Sequence, residues 1–422
     1  MPPPLASDRS RGPGSASPRL TSPGGLPALL GVVTGVQALA TFSVLALPQV
    51  APTVTASLGV GAEWIGYQVS LVYLTAAIAS ASAGAFVRRL GPCRASVIAL
   101  LMSALGMIGI ASGHLLMIAV ASLLVGVTYS LTNPAASHLL IRFGPPSYRN
   151  VIFALKQTGV PLGALLGALL MPTLSQKFGW QTAFAGGALM LVLLALVAWP
   201  MRAHWDDDRQ PSAPLRGQLL GGVKTVYRSR ILWGLSVLGF VYSGIQVTLM
   251  SFTVTLLVKD LGWDLISAGY VAAAMNASGA IGRICWGFLA DRTGKGSLVL
   301  IAIGIGSTFV ALAVSRLTSS WPTAGVTGLL MLYGFLIVGW NGVFMGEIAR
   351  ASTPSEVGAA TGGGLVFCFI GVVIGPTLYA LLYKSIGSYA LTFGVLSAVT
   401  LIGSFKLWLA SRPATPADVK TG

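Results

Sequence analysis

The chain contains twelve apolar runs long enough to cross a lipid bilayer, and this leaves few folds open to it. The hydrocarbon core offers the backbone no hydrogen-bond partner, so only helices or closed barrels traverse it. A helical span needs about 20 residues. Such runs lie near 27–50, 64–87, 95–113, 116–141, 149–172 and 180–199, then near 231–257, 265–290, 297–315, 322–347, 357–382 and 389–410. They are continuously apolar, whereas barrel strands are short and alternate. Of the 422 residues, 54% are hydrophobic and 9% charged, where a soluble domain carries about 25% charged. A soluble enzyme could not solvate its surface with so few charges, and disorder needs the opposite balance.

The expected fold class is therefore an all-α membrane protein with twelve transmembrane helices in two six-helix bundles. Residues 1–26, rich in Pro, Ser, Gly and Arg, read as a disordered cytoplasmic tail. Residues 27–200 form the first bundle, 201–229 a cytoplasmic central loop, 230–411 the second bundle and 412–422 a cytoplasmic tail. No apolar stretch with a cleavage site precedes the first span, so no signal peptide is expected. With the N-terminus inside, 20 basic residues face the cytoplasm and four, Lys177, Lys259, Arg316 and Lys384, face outward. That asymmetry orients the spans. It also accounts for the net charge of +15 without nucleic acid, since no basic run is interleaved with stacking aromatics. The expected lack of a cleavable signal and the Gly/Ala-rich composition suit the inner (plasma) membrane of a bacterium.

Cys93, Cys285 and Cys368 are too far apart for a zinc spacing and odd in number, so no disulfide framework is expected. Neither an H-E-x-x-H, a nucleophile elbow nor a phosphate loop is present. An enzyme, a metal site and a cofactor are therefore not expected.

The two halves repeat. Gly66-Tyr67 recurs as Gly269-Tyr270, Gly84 as Gly287, Arg89 as Arg292 and Gly91 as Gly294, each offset by 203. Gly163 and Gly167 recur as Gly371 and Gly375, offset by 208. Duplicated halves are the mark of transporters that rock one bundle against another around a midplane site.

The segment Gly287-Phe-Leu-Ala-Asp291-Arg292-Thr-Gly294-Lys295 resembles the loop motif of the major facilitator superfamily, with a first-half copy at Gly84 to Arg94. The resemblance covers nearly the whole chain beyond the tail. It implies a rocker-switch transporter whose motif residues hold a cytoplasmic gate: Gly84, Arg88, Arg89, Gly287, Asp291 and Arg292. The motif's first Gly would let two helices approach closely, and its Asp would meet the positive end of a neighbouring helix. Arg88 stands where the family has Asp. Pseudosymmetry then sets Asp291 near Arg149 and Arg88 near Glu356, the second as a charge-reversed pair.

Two cations lie inside spans. Arg283, in Gly282-Arg283-Ile-Cys-Trp-Gly287, resembles the substrate-binding Arg of the eighth helix in monocarboxylate and oxalate–formate porters, although Gly279 replaces the Asp that monocarboxylate porters carry one turn earlier. An Arg fork matches a carboxylate. The competing reading puts Arg283 in the gate network with Asp291. Lys156 either snorkels to the interface or attracts an anion. It shares a stripe with Gly159, Gly163 and Gly167, a packed face that suits the snorkelling reading.

In this fold the first, fourth, seventh and tenth helices line the cavity. Candidates there are Gln37, flanked by Thr34 and Thr41; Asn133, with Tyr129; Tyr242 and Gln246; and Trp340-Asn341, with Tyr333. Asn276 lies on the eighth, two turns before Arg283. Intramembrane amides also glue helices together. No Asp or Glu sits in the middle of a span, so no proton relay of acids is visible. The expected function is secondary transport of a small organic anion, by proton symport or exchange. A drug-efflux antiporter of the same superfamily is the rival, since Gly159-Val-Pro161-Leu-Gly163 loosely resembles its fifth-helix motif. A sensor built on the same fold would usually carry a soluble domain larger than the central loop allows.

Overall fold

The computed structural model describes residues 25–61, 63–144, 149–212, 220–352 and 357–412. Twelve helical spans are named here in chain order. In the first half α1 is Gly25–Gln49, α2 Trp64–Leu90, α3 Pro92–Ala111 and α4 Leu115–Phe143, while α5 runs as Arg149–Gln157 and Gly159–Phe178 and α6 is Trp180–Ala198. In the second half α7 is Arg230–Lys259, α8 Leu265–Thr293 and α9 Gly296–Val314, α10 runs as Thr323–Ile337 and Asn341–Arg350, and α11 is Val357–Ile386 and α12 Tyr389–Ala410. No strand occurs among the described residues. Eleven spans are individually long and apolar enough to cross a membrane. The twelfth, α2, is bent by 65° between Trp64–Ser80 and Ser82–Leu90. The hydroxyls of Ser80 and Ser82 donate to the Ala77 and Ala79 carbonyls at 2.7 and 3.2 Å. Such back-bonding competes with the helix ladder and bends it.

Helix ends follow local chemistry. Asp264 caps α8, its carboxylate accepting from the Ser267 N–H, and Ser229 and Ser388 cap α7 and α12 in the same way. Gly294 closes α8 at φ +65° and Gly91 turns the chain from α2 into α3 at φ +96°. Only glycine takes such φ values without strain, which explains why the repeat retains a Gly at both positions.

Within the first half α1 packs on α5, α2 on α4, and α3 on α4 and α6; within the second, α7 packs on α11 and α12, α8 on α10, and α9 on α12. The halves meet through α5–α8, α2–α11 and α1–α7. The sequence repeat is visible in the packing. Gly163 of α5 rests on the Ala38 carbonyl of α1, and Gly371 of α11 rests on the Phe240 carbonyl of α7. Gly66 of α2 faces Pro376 and Ala380 of α11, while Gly269 of α8 faces Pro172 and Ala168 of α5. Each half thus presses a glycine onto a proline of the other.

An even number of spans puts the two described ends on one face, which also carries Arg88, Arg142 and Arg292; it is called the basic face here, and the opposite one the far face. The glycine–proline contacts lie toward the far face. So do three other bridges between halves. Lys384 pairs with Glu63 at 3.6 Å and stands over Tyr67. The Ser70 hydroxyl donates to the Val373 carbonyl and accepts from Thr377. The Gln49 amide donates to the Met250 carbonyl at 3.2 Å. Among the described residues, no helix-to-helix contact is made at Gly84 or Gly287 in this conformation. A Cβ on Gly287 would meet nothing within 4 Å, and on Gly84 only the Arg88 guanidinium of its own helix. The halves are pressed together at the far face, whereas among the described residues these two glycines meet no other helix.

Gly66→Val adds a branched side chain where a Cβ already meets the Pro376 carbonyl at 2.5 Å and the Ala380 methyl at 2.8 Å. It is expected to hold the far face open. A cysteine placed at Ser70 should then react with a membrane-impermeant maleimide from that face about tenfold faster, the change that about 1.4 kcal/mol produces. Unchanged labelling would show that this contact does not hold the seal.

Candidate functional site

The site starts from two interruptions of helical hydrogen bonding. Pro161 of α5 has no N–H, so the carbonyl four residues earlier, on Gln157, loses its donor. That carbonyl lies where α5 breaks between Gln157 and Gly159. In α10 the break falls between Ile337 and Asn341, around Val338. Arg283 serves both. Its Nε donates to the Val338 carbonyl at 3.0 Å and its Nη1 to the Gln157 carbonyl at 3.0 Å. One side chain thereby joins α8 and α10 of the second half to α5 of the first.

Glycines set this reach. On α8, Gly279 packs against Val338 and the Gly334 carbonyl, and Gly282 against the Phe335 carbonyl. Residues three apart share a helix face, and the missing side chains let α10 come close enough for Arg283 to meet Val338. The Trp286 indole N–H reaches the Phe335 carbonyl at 2.9 Å. Tyr129 of α4 stands within electrostatic reach of the guanidinium and packs edge-on against Tyr73 of α2 at 5.6 Å. Among the described residues Arg283 forms no hydrogen bond or ion pair with Asp291, which is exposed.

Lys156 does not snorkel. It is 3% exposed. Its ammonium donates to Gln37 Oε1 at 2.8 Å, to Asn133 Oδ1 and to Gln157 Oε1 at 3.3 Å. Gln37 also accepts from Thr132 at 3.3 Å and donates to Thr41 at 3.4 Å. The glycine stripe does pack, as the sequence suggested: Gly159 lies on the Thr34 carbonyl and on Gln37. That contact delivers Gln37 to Lys156. Both cations therefore touch Gln157, Lys156 at its side chain and Arg283 at its carbonyl. Among the described residues neither forms an ion pair with a carboxylate. A membrane interior that holds two cations on neutral oxygens alone has a positive potential and unused capacity for an anion.

The remaining candidates divide. Trp340 donates its indole N–H to Gln246 Oε1 at 2.8 Å, which ties α10 to α7. Tyr242 is fully buried, and its hydroxyl turns toward α9 and α12, donating to the Leu300 carbonyl at 2.7 Å and meeting Ser404 at 3.1 Å. Its ring packs edge-on against Trp340 at 5.6 Å. Tyr333 is buried beside Phe393. Asn276 is buried, its amide donating to the Ala272 carbonyl of its own helix while its Oδ1 has no partner among the described residues. Asn341 opens the second segment of α10. Thr132 and the two broken-helix carbonyls were missed in the sequence, although Pro161 four residues after Gln157 is a readable signal for one of them.

At the basic face, Arg88, Arg89, Asp291 and Arg292 are exposed. The side chain of Arg149 and the whole of Glu356 lie outside the described residues, and with them both expected gate pairs. A helix-end acid is found elsewhere, in the central loop. Asp206 accepts from the Cys93 and Arg94 N–H groups at 2.7 and 3.1 Å, at the start of α3. Its burial pushes the carboxyl above the usual range, which these two bonds and Arg94 oppose. Asp207 is held below that range by its hydrogen bond from Arg142. Asp208 meets Arg142 at 3.0 Å and His138 at 2.8 Å. Three consecutive acids thus pin the central loop to α3 and α4.

Residues 33–347 match a family model described as Major Facilitator Superfamily. The chain belongs to the Major Facilitator Superfamily. It is a transporter of that superfamily and not an enzyme. Among the relatives of this superfamily member is the gallate transporter of Pseudomonas putida, 26% identical over 317 residues, covering 68% of this chain and 70% of that protein. Another is the cis,cis-muconate transport protein of Acinetobacter baylyi, 24% identical over 283 residues, covering 64% of this chain and 65% of that protein. The fold is similar to that of a bacterial homologue of the human lysosomal transporter Spinster, in an inward-facing and occupied conformation, at a TM-score of 0.71 and 16% identity over 92% of this chain and 98% of that one. Among the described residues no group of three His, Cys, Asp or Glu could hold a metal ion.

Asp206→Ala removes the acceptor for two N–H groups at the start of α3 and should lower stability by about 1–2 kcal/mol, read as a lower unfolding temperature in detergent. Asp206→Asn keeps one acceptor and should lose less. Equal melting of all three proteins would show that the acid does not hold the helix end.

Proposed function

We propose that this transporter moves a small organic carboxylate across the plasma membrane by alternating access, with the basic face toward the cytoplasm. One observation carries the reading. Arg283 and Lys156 lie within the spans, both touch Gln157, and among the described residues all their hydrogen-bond acceptors are neutral oxygens. An anion is the ligand that relieves such a site. A guanidinium adds planar two-point recognition of a carboxylate. Gln37 and Asn133 fix the ammonium, and Tyr129, packed on Tyr73, offers aromatic surface near the guanidinium. Two relatives are named for carriage of gallate and cis,cis-muconate, which are both carboxylates.

The far-face seal supports the transport cycle. In the conformation described, Glu63–Lys384, Ser70–Val373 and the glycine–proline contacts close that side. A carboxylate entering from the basic face would displace Arg283 from one or both carbonyls as it binds. Because Arg283 bridges the halves, occupancy of the site and the relation between halves are linked.

The test is counterflow of labelled gallate and cis,cis-muconate in proteoliposomes. The parent is expected to exchange at least one of them. Arg283→Gln should cost about 2–5 kcal/mol of anion binding, a loss of thirtyfold or more. Parent-like exchange by Arg283→Gln, or no exchange of any small carboxylate by the folded parent, would contradict the reading. The second result would favour efflux of a neutral or cationic compound.

A further inference from the structure

Coupling transport to a proton requires a group that reaches the substrate site and both gains and loses a proton there. The spans hold no carboxylate in their middle and no histidine there, since His114 precedes α4 and His138 lies near its basic-face end, against Asp208. Arginine does not release its proton in proteins. Lys156 is the remaining basic group, and lysine is the cation that sheds its proton when water is withdrawn from it. We propose that Lys156 is the proton carrier of this transporter, taking up one proton together with one carboxylate and releasing it when the carboxylate leaves. This rests on the carboxylate reading of the site.

The surroundings of Lys156 fit the role. From α1 it faces Gln37, and α1 has no charged residue. From α4 it faces Asn133, with Thr132 one step away on Gln37 and Tyr129 as the one titratable group on that stretch. Farther along α4, Arg142 and His138 are engaged by the acids of the central loop. From its own helix it meets the Gln157 side chain, and from α8 the Arg283 guanidinium is bonded to the carbonyl of that same Gln157. All three acceptors are amide oxygens, and no described carboxylate fixes the charge. A fixed acid would hold the ammonium charged through the cycle; amide oxygens do not.

The linkage has a definite sign. A carboxylate arriving between Lys156 and Arg283 favours the charged form of the lysine, because an opposite charge nearby stabilises it. By reciprocity the protonated lysine favours the carboxylate by the same factor. Anion and proton therefore bind together and leave together. The neutral amine accepts a proton from water on the loading side, and the ammonium returns it to water on the release side. No other atom changes hands. Arg283 stays charged throughout and supplies the constant part of the attraction.

The experiment uses the full chain in proteoliposomes containing an internal pH dye. Labelled gallate and cis,cis-muconate are supplied, and protons entering per anion entering are counted under an inward pH gradient. Counterflow at equal pH is measured on the same preparations. The parent is expected to move one proton per anion and, with the membrane potential held at zero, to accumulate the anion about tenfold for each pH unit of gradient. Lys156→Arg and Lys156→Gln should both fall to zero protons per anion at whatever exchange rate they retain. The count is a ratio and does not depend on a reduced rate, and the two variants make different demands on the packing around Gln37. A parent that exchanges the anion without proton entry overturns the proposal and leaves the carboxylate reading standing. Either variant moving the parent's one proton per anion overturns it as well. A folded parent with no counterflow removes the carboxylate reading itself, and this proposal with it.

Discussion

A carbonyl left without a donor inside a bilayer costs free energy, and this transporter keeps two of them at the junction of its halves. Pro161 frees the Gln157 carbonyl in α5, and the break in α10 exposes that of Val338. Arg283 satisfies both at 3.0 Å. The same constraint that makes every span a helix therefore explains why a cation sits deep in the second half. It also explains why that cation is an arginine. A lysine has no rigid fork with which to hold two carbonyls on different helices. The protein thereby maintains a buried positive charge with no neutralising acid among the described residues, and the proposed substrate would use the same donors.

When protonated, Lys156 adds a second positive charge to the same few residues. The glycine stripe of α5 brings α1 close, and α1 supplies Gln37 as an acceptor. Neutral acceptors hold the ammonium in place without cancelling its charge. Around this centre the two halves contact each other unevenly. Glycines on α2 and α8 press onto prolines of the opposite half at the far face, and Glu63–Lys384 lies there too. Among the described residues the motif glycines Gly84 and Gly287 meet no neighbouring helix. A fold made of two similar halves can exchange one seal for the other, because the same surfaces recur in each.

Much of the fold was legible in the sequence. Continuous apolar runs require helices, and the offsets of 203 and 208 required two similar halves, which the Gly163–Ala38 and Gly371–Phe240 contacts bear out. Arg283 and Lys156 were legible as anomalies, because cations are rare in lipid-facing helices. Their partners were not. Gln157 acts partly through its carbonyl, and a carbonyl has no sequence signature of its own. Only Pro161 marks it. Tyr242 matched the cavity pattern by spacing, yet its hydroxyl turns to α9 and α12, since helical periodicity gives a stripe and not the direction of a side chain. The acid that holds a helix end at the basic face came from Asp206, in a loop where no motif pointed.

The central claim is that two buried basic groups whose described partners are all neutral, Arg283 always charged and Lys156 charged as the substrate binds, select a negative charge. The direct measurement is the unfolding temperature of the detergent-solubilised protein with gallate and cis,cis-muconate, each compared with its methyl ester. The expected result is a concentration-dependent rise with at least one carboxylate and none with the matching neutral ester. An equal rise with the ester, or a rise only with cationic compounds, would contradict the account.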